Sequence, residues 1–150
     1  MDLKLSWSVR EFADLSVHEL YELLKLRSEV FVVEQQCAFQ DIDNKDQYCK
    51  HLFGRRGDAL LAYSRIVPPG VSYEHASIGR IVVSQEGRGE KLGKELLEMS
   101  IRAVEDIHGK GTIRIGAQLY LKAFYESFGF IQSSEVYPED GIDHIEMTRK

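Results

Sequence analysis

The residues best able to do chemistry lie between Ile78 and Leu97, in the run IGRIVVSQEGRGEKLGKELL. A strand pattern enters a glycine-rich turn and passes directly into helix periodicity. At such a junction the first N–H groups of the helix have no intrahelical partner, the helix dipole is positive, and glycines let the chain approach a ligand closely, so a pyrophosphate would be held well. Arg88, Lys91 and Lys94 add cations. Taken by themselves, the glycines serve tight strand-turn-helix packing equally well. A Walker A loop requires G-x-x-x-x-G-K-[ST], but Arg88 stands five residues before Gly93 and Glu95 follows Lys94. A dinucleotide fingerprint requires G-x-G-x-x-G, whereas Gly87, Gly89 and Gly93 are spaced G-x-G-x-x-x-G.

Other chemically capable residues are scattered. Arg27 and Glu34 are seven apart on one apolar helix face, so both should point inward, as a structural ion pair or as contacts for a substrate. Asp41, Asp43 and Asp46 have part of a calcium-loop pattern, but Asp46 stands where that loop needs glycine and Leu52 where it needs glutamate, so no metal is expected. His51 and His144 fall on expected strands, either as bases or as hydrogen-bonded structural histidines. Glu34, Glu135 and His144 are the candidates for a base that deprotonates an amine. Cys37 and Cys49 lack metal-site or C-x-x-C spacing and read as free thiols.

The elements that must position these residues can be traced along the chain. Leu3 to Val9 alternates with period two, a half-buried strand. Ser16 with Glu19 forms a capping box, and Leu15 with Leu20 a hydrophobic staple, at the start of a helix. Residues 35–50 lack periodicity and read as a loop, a candidate substrate-facing flap. HLFGRR and ALLAYSRIV flank Gly57-Asp58 as a hairpin, and SIGRIVVS adds a strand after Pro68-Pro69-Gly70. A helix from about Gly89 to Ile107 presents Leu92, Leu96, Leu97, Ile101 and Val104 on one side. Then come the strand TIRIGAQ, a helix from Leu119 to Phe128 ending at Gly129, and the strands IQSSEVY and HIEMTR. The order β-α-β-β-β-α-β-α-β-β describes an α/β protein with a mixed sheet flanked by helices, a single domain over residues 1–150.

Composition narrows the partners. Hydrophobic residues make up 43% and charged residues 29% of the 150, enough apolar material for a core. With 24 acids against 19 bases the net charge is −5, so the chain has no general attraction to nucleic acid or anionic membrane. Neither a leader-like apolar run nor a stretch of eighteen apolar residues occurs, and a cytoplasmic location is expected.

Two motifs in these elements resemble those of the GNAT acetyltransferases. That family's pyrophosphate loop, Q/R-x-x-G-x-G/A, is matched by Arg88, Gly89, Glu90, Lys91, Leu92 and Gly93, with Lys91 in place of the first glycine. Gln118 to Phe130 is similar to its second motif, N-x-x-A-x-x-F-Y-E-x-x-G-F, with Gln118 for the asparagine and Leu121 for the alanine. LRSEVFVVEQ, QDID, GRIVVS and EDGIDHIEM extend the likeness, toward the ElaA-like subgroup, over nearly the whole chain. The resemblance implies a mostly antiparallel GNAT sheet and acetyl-CoA as cosubstrate. It also implies that Ile81, Val82 and Val83 pair with the pantetheine arm and that the amides of Arg88 to Lys94 hold the pyrophosphate. Gln118 and Phe124 complete the cofactor site, the Val83 backbone donates to the thioester oxygen, and Tyr125 is the general acid.

The expected function is N-acetyl transfer to a primary amine by direct attack. Non-catalytic acyl-CoA sensing and dinucleotide-dependent oxidoreduction are the alternatives. Arg27 and Glu34 are the acceptor-site candidates, loop acids at Asp41, Asp43, Asp46, Glu139 and Asp140 favour a cationic acceptor, and a homodimer is expected.

Overall fold

The computed structural model describes residues 4–150. The strand expected from Leu3 appears as β1 (Ser6–Glu11), Leu3 itself lying outside the described residues. β1 pairs antiparallel with β2 (Lys50–Arg56), β2 with β3 (Ala59–Val67), and β3 with β4 (Ser77–Val83). A second group is built on β8 (Ile142–Arg149), which pairs antiparallel with β5 (Ile113–Gln118), β6 (Ile131–Gln132) and β7 (Tyr137–Glu139). The expected strand IQSSEVY is thus two strands. At Ser134 the hydroxyl replaces the ladder, accepting from the Glu146 N–H at 2.8 Å, so backbone pairing stops and resumes at Tyr137.

β4 and β5 run parallel, and among the described residues they are joined only at their start, by the bridge from Ala76, just before β4, to Ile113, where the Arg114 N–H donates to the Ala76 carbonyl at 3.0 Å. Beyond it the two strands part. Part of the cause lies within β4, where the register against β3 shifts and Arg80 and Ile81 together oppose Ser64. Arg80 sits in the left-handed region at φ 51°, and a bulge of this kind bends its strand and increases its twist.

Helices cover both faces of the first group. Along β3, Ala62 and Ile66 pack with α2 (Leu92–His108) through Leu96, Leu97, Ile101 and Val104, and the Ser64 hydroxyl lies 2.7 Å from that of Ser100. Tyr63 faces the other way, into a cluster with Phe53, Val82 and the Leu23 and Leu26 of α1 (Val17–Arg27). The start of α1 is the expected capping box: Ser16 Oγ accepts from the Glu19 N–H at 3.1 Å and Glu19 accepts from the Ser16 N–H at 2.9 Å.

α1 does not simply continue to Glu34. From Ser28 to Glu34 the chain is π-helical, with Gln35 N–H donating to Val30 and Cys37 N–H to Val32. Bonds of i→i+5 spacing carry more residues per turn, so positions seven apart no longer share a face. Arg27 and Glu34 accordingly part company.

Arg27, fully buried, faces the loop of residues 35–50 and binds Asp41 Oδ2 and Asp46 Oδ1, each at 2.8 Å. Arg65 binds Asp46 at 3.0 Å and Asp43 at 2.8 Å, and Arg80 binds Asp43 at 3.2 Å and Asp41 at 2.8 Å. Three arginines and three aspartates therefore alternate in a closed ring. Burial would raise the Asp43 pKa, but hydrogen bonds and charge from Arg65, then the charge of Arg80, outweigh it and hold it at about 2. The calcium-like spacing serves this ring, and the expected flap is tied to α1, β3 and the β4 bulge.

Candidate active site

The gap between β4 and β5 is a cleft of about 610 Å³. Ile81, Val82, Val83 and Arg88 line one wall and Ile115, Gly116, Gln118, Tyr125 and His144 the other, while Phe31, Glu34, Gln35 and Phe39 close over it.

On the β4 wall the backbone matters most. The Ser84 N–H donates to the Leu61 carbonyl at 2.8 Å, which makes Ala62–Val83 a non-hydrogen-bonded pair of the antiparallel ladder. Val83 therefore turns its N–H and carbonyl away from β3, toward the open gap. By the same alternation Val82 spends its backbone groups on Tyr63, and its side chain is buried. Of the three residues expected to offer main chain to a ligand, Val82 is the one that cannot.

After β4, a turn leads to α2. Gly87 is a packing glycine, since a Cβ there would lie 2.8 Å from Leu92 Cδ1. Gly89 has φ +84°, and Lys91, the N-cap, has φ 62°. This explains what the lysine replaces: the position demands a left-handed residue, which glycine adopts freely and an L-residue adopts at a cost of roughly 1 kcal/mol. Lys91→Gly is expected to raise the unfolding free energy by up to about 1 kcal/mol, read as a higher urea midpoint at unchanged slope.

Unlike α1, α2 begins with no side-chain cap, so the N–H groups of its first turn are left for a ligand. A Cβ on Gly93 would meet only Phe124 Cζ, at 4.0 Å, so the space above it is open. Phe124 is thereby a packing partner of the helix start. Arg88, Gly89, Glu90, Lys91 and Lys94 are exposed around this end of α2, and Leu92 is buried beneath it. Arg56 takes up the Glu90 carboxylate at 2.7 Å.

Tyr125 projects from α3 (Lys122–Glu126), a helix preceded by a separate 3-10 turn at Leu119–Leu121 and closed by Gly129 at φ +91°. Its ring is held edge-on by Phe124 and Phe130 at 5.3 and 5.9 Å. Among the described residues its hydroxyl makes no hydrogen bond, although the ring is buried and lines the cleft. Burial, with a smaller contribution from Tyr120, pushes the phenol up to about 12.

His144, on β8 opposite Gln118, is also in the cleft wall. Its Nδ1–H donates to the Ile142 carbonyl at 2.8 Å, and Nε2 lies 3.3 Å from a Glu139 oxygen. Glu34 lines the cleft too, but is gripped by Arg88 (Nη2 to Oε1, 2.9 Å), which with a bond from Gln85 lowers its pKa. Glu135 is exposed and outside the cleft. His51 is a core residue, its Nε2–H donating to the Asp46 carbonyl at 3.0 Å and its Nδ1 2.7 Å from the Tyr63 hydroxyl.

Arg27 is a correction. It does not reach the cleft, because the ring of aspartates consumes it inside the fold. Sequence reasoning missed Arg65 and Arg80 as its companions. Three arginines on elements otherwise filling the core, beside three aspartates in one six-residue stretch, was the available signal.

A sheet split between two parallel neighbours, with an outward-facing backbone on one lip and an uncapped helix start beyond it, defines the GNAT acyl-CoA N-acyltransferase fold. The chain belongs to the GNAT acetyltransferase family, whose domain model matches residues 15–150, and within it is ElaA-like. It is 43% identical to protein ElaA of Escherichia coli K12 over 97% of both chains, and the crystal structure of E. coli ElaA superposes with a TM-score of 0.91. An acyl-CoA N-acyltransferase structure from Pseudomonas aeruginosa is 42% identical, with a TM-score of 0.93 over 97% of this chain and 99% of that one. The fold also matches, at 14% identity and a TM-score of 0.66 over 99% of each chain, a GNAT family acetyltransferase from Elizabethkingia anophelis crystallised with acetyl-CoA bound.

Proposed function

We propose that this protein transfers the acetyl group of acetyl-CoA to a primary amine by direct attack, acting as a single cytoplasmic domain. One arrangement carries the reading: the outward-facing Val83 backbone and the unpartnered phenol of Tyr125 share one cleft, and the uncapped start of α2 follows in the chain just beyond Arg88 of its wall. Acetyl-CoA would supply the activated acyl group. The amides from Gly93 onward and the nearby Arg88 and Lys94 hold its pyrophosphate at the positive end of the helix. The N–H of Val83 donates to the thioester oxygen as negative charge develops there.

Of the two base candidates that line the cleft, Glu34 and His144, the histidine is the better placed. With its proton fixed on Nδ1 by the Ile142 carbonyl, Nε2 is the acceptor for the proton the amine must lose, and Glu139 stands ready to stabilise the imidazolium. Glu34, held ionised by Arg88, is a poor base. The amine's lone pair then attacks the carbonyl carbon, the C–S bond breaks, and Tyr125 gives its proton to the departing thiolate. Cys37, whose thiol donates to the Asp140 carbonyl at 3.2 Å, takes no part.

The acceptor is a small or peptide amine. Asp41, Asp43 and Asp46 do not draw a cationic acceptor, because the arginine ring neutralises their charges.

Isothermal calorimetry tests the cofactor site. Wild-type protein is expected to bind acetyl-CoA without added metal, and Gly93→Val, which meets open space in the fold, to bind it at least about tenfold more weakly. Heat with NAD but none with acetyl-CoA would overturn the reading. A panel of amines assayed for coenzyme A release identifies the acceptor.

A further inference from the structure

The Glu34–Arg88 ion pair lies in the cleft beside the proposed reaction centre, and of its two members only Arg88 has a part in the steps above. Glu34 ends the π-helical turn on one side, and Arg88 belongs to the turn that leads into α2. The guanidinium grips both carboxylate oxygens, and its Nη2, 2.9 Å from Glu34 Oε1, also donates to the Val83 carbonyl at 3.3 Å. A single nitrogen thus touches the carboxylate and the end of β4. Glu34 therefore lies within two hydrogen-bond lengths of the strand end where the thioester would sit.

Arg88 is also one of the cations available to a pyrophosphate at the start of α2. A guanidinium fork cannot be bidentate to a carboxylate and to a phosphate with the same two nitrogens. Whichever anion holds it displaces the other. Of the remaining carboxylates on the cleft wall, Asp43 is held by Arg65 and Arg80, Glu139 faces His144, and Asp140 is exposed at the turn between β7 and β8. Glu34 differs in that its cationic partner belongs to the cofactor cradle, and once that partner leaves, only the amide of Gln85 at 3.3 Å still reaches it.

We propose that Glu34 is a switched subsite for the acceptor's ammonium group: Arg88 neutralises it in the free protein, and a bound pyrophosphate, by claiming Arg88, unmasks it for a protonated alkyl amine. This rests on the acetyltransferase reading and adds to it the class of acceptor, an amine charged at neutral pH. The ammonium is drawn to the strand end only when the acyl donor is in place, and its proton then passes to His144.

The test is a pair of effects of opposite sign. Glu34→Gln keeps the shape and the contact to Gln85 but frees Arg88, so it should bind coenzyme A about two- to fivefold more tightly than wild type, the span expected for losing an exposed competing ion pair. In an Arg88→Gln background the same change should leave coenzyme A affinity unaltered. With the best alkyl amine of the panel, Glu34→Gln should lower kcat/KM about tenfold. The proposal is overturned if Glu34→Gln binds coenzyme A no more tightly than wild type, if the tightening persists without Arg88, or if alkyl amine kinetics are unchanged. Wild-type protein that binds no coenzyme A at all would instead remove the acetyltransferase reading.

Discussion

Tyr125→Phe is expected to lower turnover by about 10²–10⁴-fold while changing acetyl-CoA affinity little. Burial pushes the phenol up to about 12, and a thiol has a reference pKa of about 8.5. Complete proton transfer ahead of bond cleavage would therefore be uphill by roughly 3.5 units, or about 5 kcal/mol. Donation has to accompany C–S cleavage, when the sulfur is most basic and the hydrogen bond strongest. The phenol oxygen has no partner among the described residues, and Phe124 and Phe130 hold the ring and not the hydroxyl. Removing the oxygen thus leaves the packing intact, and the melting temperature should stay near that of wild type. Coenzyme A release under single-turnover conditions reads the chemical step directly. A folded Tyr125→Phe protein turning over within about twofold of wild type would show that solvent or another group protonates the thiolate.

Arg27→Ala is expected to destabilise the fold by about 3–5 kcal/mol, a large share of the roughly 5–15 kcal/mol that holds a domain of this size together. The side chain is 0% exposed and makes four hydrogen bonds, to both carboxylates and to the Asp41 carbonyl. Its loss leaves Asp41 with Arg80 alone and Asp46 with Arg65 alone, both buried. Arg27→Lys should recover little, because an ammonium cannot span the two carboxylates with a planar fork. Asp43 and Asp46 have folded pKa values below their unfolded ones, so the ring's contribution is present above about pH 4 and is lost as the pH falls toward 2. Urea unfolding followed by fluorescence measures both effects. A variant within about 1 kcal/mol of wild type would mean that water or rearranged neighbours satisfy the two aspartates.

Some features of this protein are local, and the sequence by itself determined them. The Ser16–Glu19 capping box, the leucine face of α2, the stop at Gly129 and the strand-turn-helix junction each depend on residues within a few positions of one another. Capping, periodicity and left-handed turns are short-range physics, and they were legible. The two family motifs were legible for the same reason, since each occupies one continuous stretch. Only the tertiary structure decided the rest. Whether Arg27 and Glu34 shared a face depended on a π-helical turn, whose i→i+5 bonds leave no reliable mark in residue spacing and which moved Glu34 onto another face. The three loop aspartates acquired their role from arginines 14 to 39 positions away in sequence, brought together by packing α1 against β3 and β4. Val82 and Val83 are identical in type. The register with β3 spends the backbone of the first on the sheet and turns that of the second to the cleft, because antiparallel hydrogen bonds alternate along a strand and their phase is set by the partner.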